Sequence, residues 1–288
     1  MKKFLSLKRA AALCLAVCMI AGLLAGCGGG SSDTSDGGAA AEVDTSTLTV
    51  ALTSEPDYLS TCDHDSLMGV QMNLLTYNGL MRIDMETLEP VCDLAESYTQ
   101  DSDTEWTFTL KQGVKFHNGD DFTADDVKLS VERFRDESWM QFASFAVDSC
   151  SVETVDPYTV KITTASPTPN LLYDLAYHYN FILPKSLIES GNDFSANPVG
   201  TGPYKLAEWN KGNTITFEAF DEYFDEARKA SIPTLEFAII PEGSTRTMSL
   251  ESGEVDFVYS VASSDIERLQ STEGISVTDV VSVENFFL

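Results

Sequence analysis

The chain has 288 residues and is strongly acidic, with 45 aspartates and glutamates against 18 lysines and arginines and a formal net charge of −27. A charge of this size and sign repels nucleic acid and anionic lipid headgroups, so we expect no nucleic-acid partner. Hydrophobic residues make up 43% and aromatic residues 10% of the chain, which indicates a folded body and excludes a wholly disordered protein.

The first residues have the pattern of a secretory signal. A basic start precedes an apolar run, residues 10–24, which is too short and wrongly flanked for a lasting membrane span. The run ends in LAGC at residues 24–27, which resembles the bacterial lipobox, where the cysteine thiol receives a diacylglyceryl group and the peptide before it is removed. We therefore expect a lipoprotein signal peptide over residues 1–26 and a lipid on Cys27. An ordinary cleavage site beside a chance cysteine is the alternative.

A flexible tether is predicted after the lipidated cysteine, over residues 27–46. Residues 28–41 (GGGSSDTSDGGAAA) are small and polar or glycine-rich and cannot build a core. Stable anchoring needs more than one acyl chain, and lipoprotein processing supplies at least two. The predicted location is therefore the outer, extracytoplasmic face of the cell membrane.

Three cysteines belong to the predicted body: Cys62, Cys92 and Cys150. They allow at most one internal disulfide, and the sequence leaves the pairing open. Neither a CxxC pair nor a histidine-rich spacing accompanies them, so we predict no zinc site and no cofactor.

The most legible part of the body begins at residue 106. Large apolar residues alternate strictly with threonine over residues 106–110 (WTFTL), so the apolar side chains share one face of a strand. Asn118-Gly119 favours a turn, and the Thr123 hydroxyl can cap the amides at the start of a helix. The buried stripe of that helix is predicted at Val127, Val131 and Phe134.

The remaining elements follow from similar patterns and indicate a mixed α/β body. The predicted strands are 48–52, 106–110, 114–116, 151–155, 159–162, 203–209, 214–220, 235–241, 255–259 and 275–281. Strands 203–209 and 214–220 are predicted to form a hairpin across the turn at 210–213, another hairpin is predicted at 80–90, and residues 181–184 are predicted as an extended stretch. The predicted helices are 67–80, one beginning at Thr123, 167–177, 245–251 and 265–270. Strands and helices mix without strict alternation, which favours one lobe that contains parallel and antiparallel pieces and a small inserted subdomain.

The order of motifs resembles one family, the bacterial extracellular solute-binding proteins of family 5, which are the oligopeptide-, dipeptide- and nickel-binding components of ABC importers. Each motif is weak alone, but their order over residues 48–288 is specific. The motifs are LAESY (94–98), WTFTL (106–110), GVKFHNGDDFTADDV (113–127), PVGTGPYKL (198–206) and SGEVDF (252–257).

The resemblance implies a periplasmic-binding-protein-like fold of type II, peptide-binding class, with two lobes that close on a ligand by hinge bending. Residues 47–282 would form the first lobe, with an inserted α+β subdomain at about 67–166. Residues 283–288 would begin the crossover to a second lobe, which we expect to be absent because family members are roughly twice as long. A truncated reading frame is the expected reason, and a single-lobed variant is the alternative.

The resemblance also suggests a substrate-binding loop after the first strand, formed by Glu55, Pro56, Asp57 and Tyr58. Glu55 or Asp57 could bind a ligand ammonium group, and Tyr58 could wall the cleft. A solvated acidic loop is the alternative, and the sequence departs here from the family's common Leu-Asp-Pro. Surfaces near the turn at residues 200–204 (GTGPY) would also border the cleft. That turn lacks the lysine and the spacing of a phosphate loop, so it is interpreted as a tight entry into a strand.

Neither a metal centre nor an enzyme active site is predicted. Asp63-His64-Asp65 could hold a metal, but a lone histidine among loop carboxylates is more typical of a solvated loop. His117 and His178 are interpreted as structural residues. The chain has no GxSxG and no HExxH motif, so we predict a protein without catalytic residues.

The predicted function is the capture of small peptides outside the cell and their delivery to an ABC permease and its ATPase partner, with the membrane reached through the lipid anchor. A surface receptor that signals ligand occupancy without import is one alternative. A nickel or metal-chelate importer component is another.

Overall fold

The computed structural model describes residues 45–60, 67–136 and 150–278. Several sequence-based expectations fall outside these ranges and stay predictions. They are the signal peptide 1–26, Cys27, the tether up to residue 44, Cys62, the Asp63-His64-Asp65 run and the final segment 283–288. Within the described ranges, no helix is long and apolar enough to cross a bilayer.

The described body contains eleven strands and six α-helices. The strands are β1 (Thr47–Leu52), β2 (Met81–Ile83), β3 (Pro90–Cys92), β4 (Ala95–Gln100), β5 (Glu105–Leu110), β6 (Cys150–Asp156), β7 (Thr159–Thr164), β8 (Tyr204–Asn210), β9 (Thr214–Ala219), β10 (Thr234–Ile239) and β11 (Phe257–Val258). The helices are α1 (Leu67–Thr76), α2 (Ala124–Asp136), α3 (Leu171–Leu175), α4 (Lys185–Ser190), α5 (Gly243–Ser252) and α6 (Ile266–Gln270). The prediction of a mixed α/β body is confirmed.

The largest sheet has five strands in the order β11-β1-β10-β9-β8. Strand β1 runs parallel to both of its neighbours, β10 and β11. Strand β9 runs antiparallel to both of its neighbours, β10 and β8. Asp256, from the SGEVDF motif, fixes the edge strand β11: its backbone amide donates to the Thr49 carbonyl at 2.8 Å, and its Oδ2 accepts from the Thr49 amide at 2.8 Å. Asp256 therefore joins the edge strand β11 to β1.

One core lies on the five-stranded sheet, under α1. Leu52, Ile215 and Phe217 are fully buried there, and Met72 of α1 packs with them. Burying one side chain of this size stabilises the fold by about 2 to 3 kcal/mol. Helix α1 thus covers the sheet that carries the loop after β1.

A second core lies on an antiparallel sheet of four strands, in the order β4-β5-β7-β6. The alternation predicted for WTFTL is confirmed, because Trp106, Phe108 and Leu110 are buried on one face. Helix α2 covers this face with Val127 and Val131. The sheet and α2 fall within the predicted subdomain, whose limits at about 67 and 166 stay a prediction.

The start of α2 is capped by Asp126, and Thr123, which was predicted to accept hydrogen bonds there, donates them instead. The Thr123 hydroxyl does not accept from the helix amides; it donates to Asp126 Oδ2 at 2.9 Å, and the Thr123 amide donates to the same oxygen at 2.7 Å. Asp126 Oδ1 also accepts from the Lys185 amide at 2.7 Å, which ties α2 to α4. An ionised carboxylate is a stronger hydrogen-bond acceptor than a hydroxyl, so the Thr123 hydroxyl donates a hydrogen bond to Asp126.

Two of the family-like motifs meet where the two cores join. The amide of Gly202 donates to the Thr76 carbonyl at the end of α1, at 2.8 Å. The His117 amide donates to the Gly200 carbonyl at 2.9 Å, and His117 Nε2 donates to the Gly202 carbonyl at 2.9 Å. The GTGPY turn is therefore a packed joint that leads into β8, as interpreted from the sequence.

A buried polar network reinforces this joint. Asn78 donates to Asp93 Oδ2 at 2.8 Å, and its own Oδ1 accepts from the Thr201 hydroxyl at 3.0 Å. Arg228 pairs with the buried Asp93 and, at 2.7 Å, with Asp225. Because every member has a charged or polar partner, the network stabilises one arrangement of the joint.

Several predicted elements differ from those observed. Residues 114–116 form a compact turn with a single bridge between Lys115 and Asp121, although Val114 and Phe116 are buried as the alternation indicates. The helix predicted at 167–177 is reduced to α3, and the extended stretch at 181–184 runs into α4, which was not predicted. The described part of the last predicted strand, residues 275–278, has no strand structure.

Candidate functional site

The carboxyl ends of the parallel strands form one edge of the five-stranded sheet. Strands β1 and β10 end level with each other, at the paired residues Leu52 and Ile239, and β11 ends beside them. The turn between β8 and β9, residues 210–213, reaches the same edge, because Thr214 pairs with Ala238 near the end of β10. Ligands of open α/β sheets bind outside the carboxyl ends of their strands. This edge is therefore the candidate binding surface.

The loop after β1 crosses this edge and is anchored by Glu55. Glu55 Oε1 accepts from Trp209 Nε1 at 2.7 Å and from the Gly212 amide at 3.0 Å. These bonds attach the loop to the β8–β9 turn. The predicted role of Glu55 as a binder of ligand ammonium therefore competes with a structural role that its sequence position does not reveal.

The other three predicted site residues are placed differently from one another. Pro56 is buried, so it shapes the loop from inside. Asp57 is exposed, and Tyr58 leaves 45% of its surface exposed. Asp57 and Tyr58 are thus the members of the predicted set that present side chains to solvent.

The loop then returns to the body and is held there. The Leu59 carbonyl accepts from the Tyr77 hydroxyl at 3.4 Å, and the Ser60 carbonyl accepts from Asn73 Nδ2 at 3.1 Å. Both Leu59 and Ser60 are buried. The exposed segment at Asp57 and Tyr58 is therefore short and fixed at both ends.

The turn beside Glu55 carries two functional candidates that the sequence analysis missed, Trp209 and Lys211. The Lys211 ammonium lies over the indole ring of Trp209, 2.9 Å from the ring centroid. Lys211 is exposed, and Trp209 is half-buried against the core of the sheet. The sequence predicted the hairpin but gave no sign of which end of the sheet its turn would reach.

Helix α5 begins at the same edge, after β10. Its first turn is capped by Glu242, whose Oε2 accepts from the Thr245 amide at 2.7 Å and from the Ser244 and Thr245 hydroxyls. These bonds, that from the Ser244 hydroxyl first, lower the pKa of Glu242 to about 2. The buried Arg246 donates to the carbonyls of Ile240 and Pro241, at 2.8 and 2.7 Å. The charged side chains of Glu242 and Arg246 are therefore hydrogen-bonded to groups of the protein itself.

Exposed aromatic side chains lie in β11 and directly after it. Phe257 and Tyr259 are 48% and 52% exposed, and their rings meet edge to face with centroids 5.1 Å apart. Aromatic surface of this kind is typical of sites that bury an organic ligand. The SGEVDF motif thus contributes Asp256 to the sheet and Phe257 to the exposed surface.

The GTGPY turn does not border this edge. Tyr204, at the start of β8, pairs with Ala219 at the end of β9, which places the turn at the amino-terminal end of β1. A strand of seven residues separates it from the turn at 210–213, about 20 Å away. The turn and the loop at 55–58 therefore lie at opposite edges of the sheet, because the antiparallel β8 carries the chain from one edge to the other. That surfaces near both border one cleft stays a prediction.

Side chains that bind metals do not cluster in the described residues. No group of three or more histidines, cysteines, aspartates or glutamates is placed to hold a metal within the ranges that the structure covers. His117 has a pKa lowered to about 4 by burial, and it faces backbone groups at the joint. The interpretation of His117 as structural fits these contacts.

Comparison with known proteins agrees with the topology. Residues 89–288 match the profile of the bacterial extracellular solute-binding proteins, family 5 Middle. The glutathione-binding protein GsiB of Salmonella paratyphi A is 32% identical over 188 residues, which cover 64% of this chain and 36% of that protein. The matched part of the chain therefore spans well under half the length of these curated relatives.

Solved structures give the fold. The binding protein AgaA of A. tumefaciens R10, in complex with agropinic acid, superposes with a TM-score of 0.72 at 32% identity, covering 79% of this chain and 46% of that one. DppA of Helicobacter pylori, in complex with the peptide STSA, superposes with a TM-score of 0.69 at 25% identity, covering 79% and 49%. The described body has the fold of one lobe of a type II periplasmic binding protein. The chain belongs to the bacterial extracellular solute-binding proteins of family 5.

Proposed function

We propose that this chain is the ligand-capturing part of a lipid-anchored ABC importer component that takes up small peptides. In this proposal Cys27 carries the lipid at the outer face of the cell membrane, and residues 27–46 form the tether. Residues 47–282 form one lobe, and the loaded protein delivers its ligand to a membrane permease driven by an ATPase. Family membership supports the transport role, and the named relatives bind glutathione, agropinic acid and a peptide.

One observation carries the peptide assignment. The carboxyl edge of the sheet presents the exposed carboxylate of Asp57 and the exposed ring of Tyr58 on a short segment that is fixed at both ends. A carboxylate there can bind the ammonium group of a peptide, and an aromatic ring can pack on its side chains. Asp57 is exposed, whereas Glu55 is half-buried and bonded to Trp209 and Gly212, so Asp57 is the more accessible candidate for the ammonium contact.

Calorimetric titration of the whole protein, including any sequence beyond residue 288, tests this proposal. The titrants are a library of di- and tripeptides, glutathione and a nickel salt. We expect heat of binding with peptides and a weaker response when Asp57 is replaced by Asn. Heat with nickel alone, or no heat with any peptide, would contradict the proposal.

A further inference from the structure

The ammonium group of Lys211 has no carboxylate partner among the described residues. This is unusual in a chain with 45 acidic and 18 basic residues, where most described lysines and arginines lie within 4.0 Å of a carboxylate. The ammonium group of Lys211 contacts the face of the Trp209 ring. An ammonium group on an aromatic face keeps N–H donors that point away from the ring.

A carboxylate is at hand but is bonded elsewhere. Glu55 Oε1 accepts from Trp209 Nε1 and from the Gly212 amide, which belong to the residues two before and one after Lys211. Both of these hydrogen bonds thus go to neighbours of Lys211 in the sequence. Glu55 fixes the indole ring and the turn, and the charge of Lys211 is left for another anion.

The position of the turn indicates what that anion is. The turn lies at the carboxyl edge of the sheet, which also carries the exposed Asp57 and Tyr58. The negative field of this protein disfavours a simple anion but tolerates a zwitterion, whose two charges can be bound by opposite groups. A free peptide is such a zwitterion, with an ammonium group at one end and a carboxylate at the other.

We propose that Lys211, supported on Trp209, is the subsite for a carboxylate group of the ligand, and that Glu55 is a positioning residue for this subsite. The inference rests on the proposed peptide-binding function and refines it. Lys211 donates a charge-assisted hydrogen bond to the ligand carboxylate. Glu55 touches no ligand in this arrangement and acts through the orientation of the Trp209 ring.

The test compares a peptide with its uncharged derivative. The tightest-binding peptide of the library is titrated into the whole protein as the free acid and as the C-terminal carboxamide. Lys211→Met removes the charge and keeps most of the stem, and we expect it to weaken binding of the free acid by about tenfold or more. Binding of the carboxamide should change by less than about twofold, because the amide makes no ion pair.

Two further variants separate charge from folding. Lys211→Arg keeps the positive charge and should bind the free acid nearly as the wild type does. Lys111→Met is the matched control, because Lys111 also lies over a ring, that of Phe224 at 4.9 Å, but beside the other sheet. It should leave both affinities unchanged.

The positioning role of Glu55 has its own readout. Glu55→Ala should shift the tryptophan fluorescence and weaken binding of the free acid, whereas Glu55→Gln, which keeps an oxygen acceptor, should restore most of both signals. No peptide binding by the wild type would refute the proposed function, and this subsite with it. Peptide binding with the same acid-to-amide ratio in wild type and Lys211→Met would refute the subsite alone.

Discussion

At the scale of single residues, His117 shows how a polar side chain serves the joint between the two cores. Its Nε2 donates to the Gly202 carbonyl, and its Nδ1 accepts from the Gly200 amide at 3.4 Å, so the neutral ring satisfies both groups. The ring also meets Phe220 edge to face, with centroids 4.9 Å apart. A proton on Nδ1 would remove the acceptor and charge a buried ring.

Protonation of His117 should therefore make the fold less stable in acid. Burial lowers its pKa from 6.5 to about 4, so between these values the unfolded chain binds a proton that the folded chain does not. The contribution of neutral His117 to the free energy of unfolding is fully present above pH 6.5. It is lost as the pH decreases towards 4, by up to about 3 kcal/mol. Urea unfolding at pH 7.5 and 4.5 should show a loss about 2 kcal/mol larger in the wild type than in His117→Gln. Equal losses in the two proteins would contradict this assignment.

Gly202 is required because the GTGPY turn lies against the end of α1. A Cβ atom at Gly202 would lie 2.7 Å from the Thr76 carbonyl oxygen and would also crowd the Leu75 carbonyl. Gly202→Ala should lower the free energy of unfolding by about 3 kcal/mol, because backbone has to shift. Gly243→Ala is the control, since a Cβ there meets its nearest neighbour, Arg246 Nη2, at 3.6 Å. The prediction fails if the two variants have similar urea midpoints.

At the scale of elements, the buried carboxylate of Asp126 joins the start of α2 to the start of α4. It accepts from the Thr123 amide and hydroxyl and from the Lys185 amide. Burial raises the pKa of Asp126, although these hydrogen bonds oppose the shift. The neutral amide of asparagine should therefore be tolerated better than the loss of the acceptor.

We expect Asp126→Ala to lower the free energy of unfolding by about 2 to 4 kcal/mol, because it leaves partly buried donors unpaired. Asp126→Asn should cost less than half as much. Asp125→Asn is the matched control, since Asp125 makes an exposed ion pair with Lys185 at 2.9 Å, and it should change the stability by less than about 1 kcal/mol. Denaturant unfolding of the three variants measures these differences. A loss for Asp125→Asn equal to that for Asp126→Ala would contradict the capping role.

The elements that could be predicted from the sequence are those with local signals. The strict alternation of apolar and polar residues predicted β5, and the turn residues at 210–213 predicted the hairpin of β8 and β9. Helix α4 escaped prediction because it is short and has no buried residue, so its sequence shows no apolar stripe. Residues 114–116 alternate like a strand, but Phe116 and Phe122 pack against each other within one turn instead of pairing with a neighbour.

The candidate site could be predicted only in part, for a related reason. The loop at 55–58 follows a recognisable strand, so its place at a strand end was expected. The contact between Glu55 and Trp209 joins residues 154 positions apart. No local pattern encodes such a pairing, since it follows from the order of strands in the sheet.

At the scale of the whole molecule, the family-like motifs prove to be mainly structural. LAESY contributes the buried Leu94 and Ala95, and GTGPY packs on α1. SGEVDF ends α5 at Gly253, in a left-handed conformation, and fixes β11 through Asp256. These motifs identify the lobe, while the ligand contacts that we propose lie at loop positions such as Asp57 and Lys211. Family membership therefore supports the proposed solute-binding role more strongly than it supports the choice of a peptide as the solute.

A lipid on Cys27 is the basis of the location that we propose for the whole molecule. We expect the wild-type protein, expressed with its signal in a bacterium that processes lipoproteins, to partition into the detergent phase and to incorporate radiolabelled palmitate. Cys27→Ser should lose the label and enter the aqueous phase, because no acyl chain remains to hold it at the bilayer. Cys92→Ser is the matched control, since Cys92 lies half-buried in β3 within the folded body, and it should stay in the detergent phase. Detergent partitioning of Cys27→Ser would mean that another segment holds the protein at the membrane. Release of both variants would point to loss of folding instead, which the urea midpoint of Cys92→Ser would show directly.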